Sequence, residues 1–153
     1  MPSPADVAAL TERLGRVPQG AFEVAVRDAT GSPVVIRNAP LLDDGRPMPT
    51  RYWLVDPALN IAVARLESVG GVRAAEAAVD PGELHRAHDA YAAERDAALP
   101  PDHEGPRPSG GVGGTRRGVK CLHAHYAYFL AGGDDPVGRW TDGRLRDAEP
   151  GGE

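Results

Sequence analysis

The residues best suited to chemistry in this sequence lie together in one stretch, GGVGGTRRGVKCLHAHYAYFLAGG, residues 110–133. Gly110, Gly111, Gly113 and Gly114 let the backbone come close to a ligand. They feed into a helix predicted over about residues 117–131, whose first amide groups carry the positive end of the helix dipole. Arg116, Arg117 and Lys120 add positive charge at that end, which opposes the dipole, and a bound anion would resolve the conflict. Gly113, Gly114, Arg116 and Lys120 are therefore candidate anion-holding residues. Lys120 is the single lysine among seventeen basic side chains, and its flexible ammonium suits an anion as a point charge. The spacing is not that of a phosphate-binding Walker loop. Val119 separates Gly118 from Lys120, and Cys121 stands where serine or threonine would hold magnesium. The plain alternative is a flexible glycine loop carrying solvated arginines.

Three further side chains share the predicted helix. At 100° per residue Cys121 and His125 lie on one shoulder of an apolar arc formed by Val119, Leu122, Tyr126, Phe129 and Leu130, and His123 lies on the other. Cys121 and His125 could supply two zinc ligands, with His85, His88 or His103 completing the site. A thiol in the first turn of a helix beside three cations is also placed to ionise as a nucleophile, with His123 or His125 carrying the proton. The structural alternative is a small buried thiol next to a hydrogen-bonded histidine. A second constellation follows Pro81, where Leu84, His88, Tyr91 and Arg95 fall on one helix face. Buried polar groups of this kind need partners. A phosphate or carboxylate ligand would satisfy them, as would an internal acid such as Glu67 for Arg95. Arg65 and Glu67 close the preceding helix and fit either version.

The elements that must position these groups are legible from periodicity and punctuation. Residues 5–14 form an amphipathic helix stopped by Gly15. Residues 22–26 and 34–36 form a hairpin across the turn Thr30-Gly31-Ser32-Pro33, and residues 52–55 a third strand. Asp56-Pro57 starts a helix that Gly70-Gly71 ends, and Asp80-Pro81 starts another that runs to about Leu99. Residues 99–114 are too long for a mere connector, so that loop is either disordered or functional. The acidic, glycine-rich end from about Asp142 reads as frayed. The resulting expectation is a single α+β domain, a small and mostly antiparallel three-stranded sheet packed with four to five helices. It divides into an N-terminal helix (1–20), a body (21–138) that contains a glycine-rich loop (99–118), and an acidic flexible tail (139–153).

The 153 residues carry 17 basic and 22 acidic side chains, a net charge of −5, which disfavours general nucleic-acid binding. No apolar run approaches the ~20 residues of a membrane span, and the first ten residues lack a signal-peptide pattern. One cysteine cannot form an internal disulfide, which agrees with a reducing, cytoplasmic setting.

The segments DDGRPMPTRYWLVDP, ARLESVGGV, HRAHDAYAAERDA and GGVGGTRRGVKCLHAHYAYFLAGGDDPVG resemble a family of bacterial proteins, domain of unknown function family 501. The resemblance spans roughly residues 22–138. It implies a shared fold and a shared site around Arg65, Glu67, Lys120, Cys121 and His123, and it supplies no reaction or cofactor. Asp28, Thr30 and Asp56 stand where a common variant of the pattern carries cysteines, which counts against a thiolate-rich metal site. The expectation is a domain that binds a phosphorylated or otherwise anionic small molecule. Lys120, Arg116 and the Gly113 and Gly114 amides would hold the anion, and His88, Tyr91 and Arg95 would face it. If a hydrolase or transferase reaction occurs, His123 and Cys121 are its candidate groups. The rival is a non-catalytic module that docks an acidic partner protein, with a zinc at Cys121 and His125.

Overall fold

The computed structural model of the protein describes residues 2–148. Six α-helices and a three-stranded antiparallel sheet make one α+β domain. Four of the helices begin with a capping residue followed by proline. Ser3 opens α1 (Pro4–Leu14) through a reciprocal bond with Asp6, and Asp56, Asp80 and Asp135 open α2 (Pro57–Ser68), α4 (Pro81–Ala97) and α6 (Pro136–Asp147). Each side-chain oxygen accepts an amide that the helix leaves unbonded, and proline lacks that donor at no cost.

The sheet has the order β1 (Phe22–Arg27), β2 (Pro33–Asn38), β3 (Tyr52–Leu54). Asp28 organises the first turn by accepting from the Thr30 and Ser32 amides and the Thr30 hydroxyl. The register pairs Val35 with Leu54 and Ile36 with Trp53. Those two pairs point to opposite faces, and both faces are covered. On one side Leu10 of α1 packs with Phe22, Ile36 and Val55. On the other Val35 and Leu54 join Val63 of α2, Ala75 of α3 (Gly71–Ala78), Tyr91 of α4, Leu122 of α5 (Leu122–Leu130) and Val137 of α6 in the main core.

Two expectations are corrected and one is extended. The helix that starts at Asp56-Pro57 ends at Ser68, just before Gly70-Gly71 as expected, but a further helix follows at once. Gly70 takes a left-handed conformation, φ 87°, and turns the chain directly into α3, a corner that glycine makes without steric cost. The end of the chain is not loose up to the limit of description: residues 139–147 lie in α6, whose Val137 and Thr141 are buried. Residues 149–153 of the expected tail lie outside the described residues. The helix after the glycine loop starts at Leu122 rather than near residue 117, because Gly118 is left-handed and Cys121 is extended, φ −150° and ψ 155°. Lys120 and Cys121 therefore precede the helix.

Candidate functional site

The face of α4 that carries His88, Tyr91 and Arg95 is buried, as the spacing predicts, but its partners are main-chain groups rather than a ligand. The Tyr91 hydroxyl accepts the Arg51 and Tyr52 amides at 2.5 and 3.1 Å and so ties α4 to β3. Burial pushes the Tyr91 phenol up to about 12. The Arg95 guanidinium, 1 % exposed, donates to the carbonyls of Pro49 and Gly110 at 3.0 Å each, and its Nε donates to Asp96 at 3.0 Å. Glu67 is not its partner. His88 Nδ1 accepts the Val112 amide at 3.0 Å, and Nε2 donates to the Gly118 carbonyl at 2.9 Å. That pair of bonds defines the neutral ring protonated on Nε2. Desolvation holds the His88 pKa below the ordinary histidine value.

These bonds explain the glycine-rich stretch. Rather than being disordered, the loop is drawn onto α4, and at Gly111 the approach is so close that a Cβ would lie 2.6 Å from His88 Nδ1 and 2.9 Å from its Cα. Gly111 is thus required by packing on α4, and Gly110 by the path of the loop itself, since its φ is 81° and a Cβ there would lie 2.4 Å from the Gly114 carbonyl oxygen. Gly113 and Gly114 form a short 3-10 turn beyond them, both with positive φ, and Gly113 lies beside the stem of Lys120.

Between α4 and the loop runs a groove with two lobes. One, of 360 Å³, is bounded by Asp89, Ala92 and Asp96 of α4 and by Ser109–Gly111; the other, of 240 Å³, by Pro81, Leu84, Glu76 and Gly118. His85, His88 and Arg116 line both, so the two lobes adjoin along these residues. Arg117 lines the second. The carboxylates of the first lobe are already matched, Asp89 by His85 at 3.2 Å and Asp96 by Arg95. Glu76 accepts the Val119 amide at 2.8 Å. Two guanidinium groups, Arg116 and Arg117, thus share this groove with three carboxylates, Asp89, Asp96 and Glu76, of which Asp96 is paired with Arg95.

The start of α5 forms a separate corner. Its N-terminus is occupied by the protein's own anion: Glu67 of α2 accepts the Leu122 amide at 2.7 Å, and its other oxygen lies 3.1 Å from His123 Nδ1. His123 Nε2 is 3.3 Å from the Asn60 carbonyl. A free helix start awaiting a ligand is therefore not what Lys120 adjoins. Glu67, Cys121 and His123 do come together. Lys120 is exposed and outside both lobes of the groove, and Arg65 is exposed on α2. Burial pushes the Cys121 thiol up, contrary to the expectation of a readily ionised nucleophile.

The zinc set does not assemble. His125 is fully buried and its Nδ1 donates to Asp135 at 2.6 Å. His88 has both nitrogens engaged, His85 pairs with Asp89, and His103 bonds the Pro106 carbonyl. Among the described residues no group of three metal-ligating side chains is present. Asp135 also caps α6 through the Val137 and Gly138 amides, so the His125–Asp135 pair joins α5 to α6.

Sequence reasoning missed Glu76, Asn60, Arg117 as a groove residue, and Asp135. Only Asp135 carried a usable signal, the same Asp-Pro step that marked α2 and α4. No described helix is long and apolar enough to cross a membrane.

No curated protein and no solved structure matches the chain. A family model described as a protein of unknown function, DUF501, matches residues 24–143. The matched span holds all three strands from Val24 onward, the whole of α4, the loop drawn against it and the Glu67–His123 corner. With most of its length under that one match, the chain belongs to the DUF501 family.

Proposed function

We propose that the protein binds a phosphorylated or otherwise anionic small molecule in the groove between α4 and the glycine-rich loop, with Arg116 and Arg117 as the anion-holding residues. The observation that carries this reading is the Arg116 guanidinium, which lines both lobes and has no carboxylate ion-pair partner among the described residues, with Arg117 beside it in the second lobe. Guanidinium groups bind phosphate and carboxylate through paired donors, and a recess that keeps water partly away strengthens the contact. Lys120 lies at the edge of the same loop and adds long-range attraction rather than a direct contact. The reading is one of binding: His88 is committed to the backbone at both nitrogens, and the Cys121 thiol is not favoured as a thiolate.

Native mass spectrometry of protein purified without added metal or chelator, followed by titration with inorganic phosphate and pyrophosphate, tests it. Wild type retains an anionic adduct or takes up the added anion, and Arg116→Ala loses it while keeping the wild-type fold. Equal uptake by the two proteins, or none by either, overturns the reading. A second reading, docking of an acidic partner protein, is favoured by the exposure of Arg65, Arg117 and Lys120. It expects Arg65→Glu and Lys120→Glu to abolish capture of that partner with no effect on anion uptake.

A further inference from the structure

The loop that closes the groove is fastened to the domain by the Val112 side chain, which is buried in the main core, and by hydrogen bonds from a few side chains, one of which is titratable. Arg95 holds the loop at Gly110, Glu76 holds it at Val119, and between them His88 holds both Val112 and Gly118. Arg116 and Arg117 lie between the two His88 attachments. The Val112 bond requires a lone pair on Nδ1. A protonated ring carries hydrogen there and would set two donors against each other 3.0 Å apart, which costs the bond and buries a charge.

We infer that His88 is a proton-sensitive latch on the ligand groove: neutral, it holds residues 112–118 against α4 with Arg116 in place; protonated, it releases them. The inference rests on the anion-binding reading for its consequence, loss of ligand on acidification, and on geometry alone for the release itself. The charged and titratable groups around His88 are His85 and Arg95 on its own helix, His125 of α5 with ring centroids 5.5 Å apart, and Asp135 at the start of α6. Asp89 and Asp96 of α4, Arg116 and Arg117 on the loop and Glu76 of α3 line the same groove as His88. His125 and His85 oppose a positive ring and Asp135 favours one, but desolvation is the largest influence and keeps the closed form neutral.

One-proton linkage sets the size of the effect. Below the ordinary histidine value of about 6.5 the open population rises about tenfold per pH unit, until the closed form itself takes up the proton. Hydrogen exchange followed by NMR on the full chain without ligand measures this directly. Between about pH 7 and pH 5 the protection of the Val112 amide, corrected for intrinsic exchange, falls with that slope, while amides of α2 and α5 hold theirs. In His88→Gln, which does not titrate, Val112 protection is flat with pH, and the His88 ring shift in wild type reports the coupled proton without any substitution. A flat Val112 profile in wild type, or parallel loss at Val112 and throughout the core, overturns the latch. Sulfate keeps a constant charge over this range, so its affinity then tests the link to ligand. Binding at neutral pH that weakens in step with Val112 exposure supports coupling, and binding indifferent to Val112 exposure overturns it. No sulfate binding at neutral pH counts against the anion reading and the coupling built on it, leaving the loop release to be decided by exchange alone.

Discussion

Replacing Glu67 by alanine removes the cap of α5 from a residue fifty-five positions away, and the structure allows the cost to be worked out. The carboxylate accepts the Leu122 amide at 2.7 Å, and Cys121, at the capping position, makes no side-chain cap of its own. Loss of a cap costs about 0.5–2 kcal/mol. Loss of a negative charge at a helix start adds about 0.3–1 kcal/mol. The contact with His123 joins side chains that are 23 % and 30 % exposed, so solvent screening limits it to at most about 1 kcal/mol. The sum is about 1–4 kcal/mol, a fall in Tm of roughly 5–10 °C for a mid-range loss of about 2.5 kcal/mol in a chain of this length. Glutamine keeps an acceptor and drops the charge, so Glu67→Gln recovers about half the loss. Thermal unfolding by circular dichroism of the three proteins at one pH is the assay. A Glu67→Ala protein that melts with wild type, or a Glu67→Gln protein that falls as far as the alanine variant, refutes the reasoning.

Tyr91→Phe leaves the Arg51 and Tyr52 amides without their acceptor, a loss of about 1–3 kcal/mol for each amide that stays buried; urea unfolding measures the total, and exchange at those two amides localises it. Gly111→Ala places a methyl group against His88 and costs about 1–3 kcal/mol of overpacking, with Val112 and Gly118 as the largest amide-shift changes in the NMR spectrum. Asp6 accepts two Arg27 bonds at 2.9 and 2.8 Å and the Ser3 amide, which together hold its carboxyl far below the ordinary value of 3.8. Its contribution to stability is complete above that value and is lost as pH falls below it. Tm measured from about pH 6 down to about pH 2 therefore falls less steeply in Asp6→Asn than in wild type.

The sheet and four helices were legible because their signals are local. Alternation marks the strands, and Asp-Pro steps mark α2 and α4. The same step at Asp135-Pro136 announces α6, but the charged and glycine-containing sequence behind it has little apolar periodicity to support a helix. α3 was hidden by reading Gly70-Gly71 as a stop, when a left-handed residue serves equally as a corner between two helices. In the site, the burial of His88, Tyr91 and Arg95 on one face was readable from spacing. Their partners were not, because the carbonyls of Pro49, Gly110 and Gly118 and the amides of Arg51 and Val112 exist at every position and leave no trace in residue type. The Glu67 cap was hidden for a related reason: the helix start it serves lies beyond two intervening helices in the chain.

Anchoring through main-chain atoms has a consequence for how this domain can diversify. A side chain that grips carbonyls and amides is indifferent to the identity of the residues that own them, provided the backbone path is kept. Gly110 and Gly111 must stay small to preserve that path. Arg116 and Arg117 contribute no side chain to His88 or Arg95, so exchanging them alters what lines the groove while the fastening stays in place. On the proposed anion-binding reading, the fold thus separates scaffold from recognition surface within a single loop, and a descendant sequence could change its ligand in two residues without rebuilding the helix that holds them.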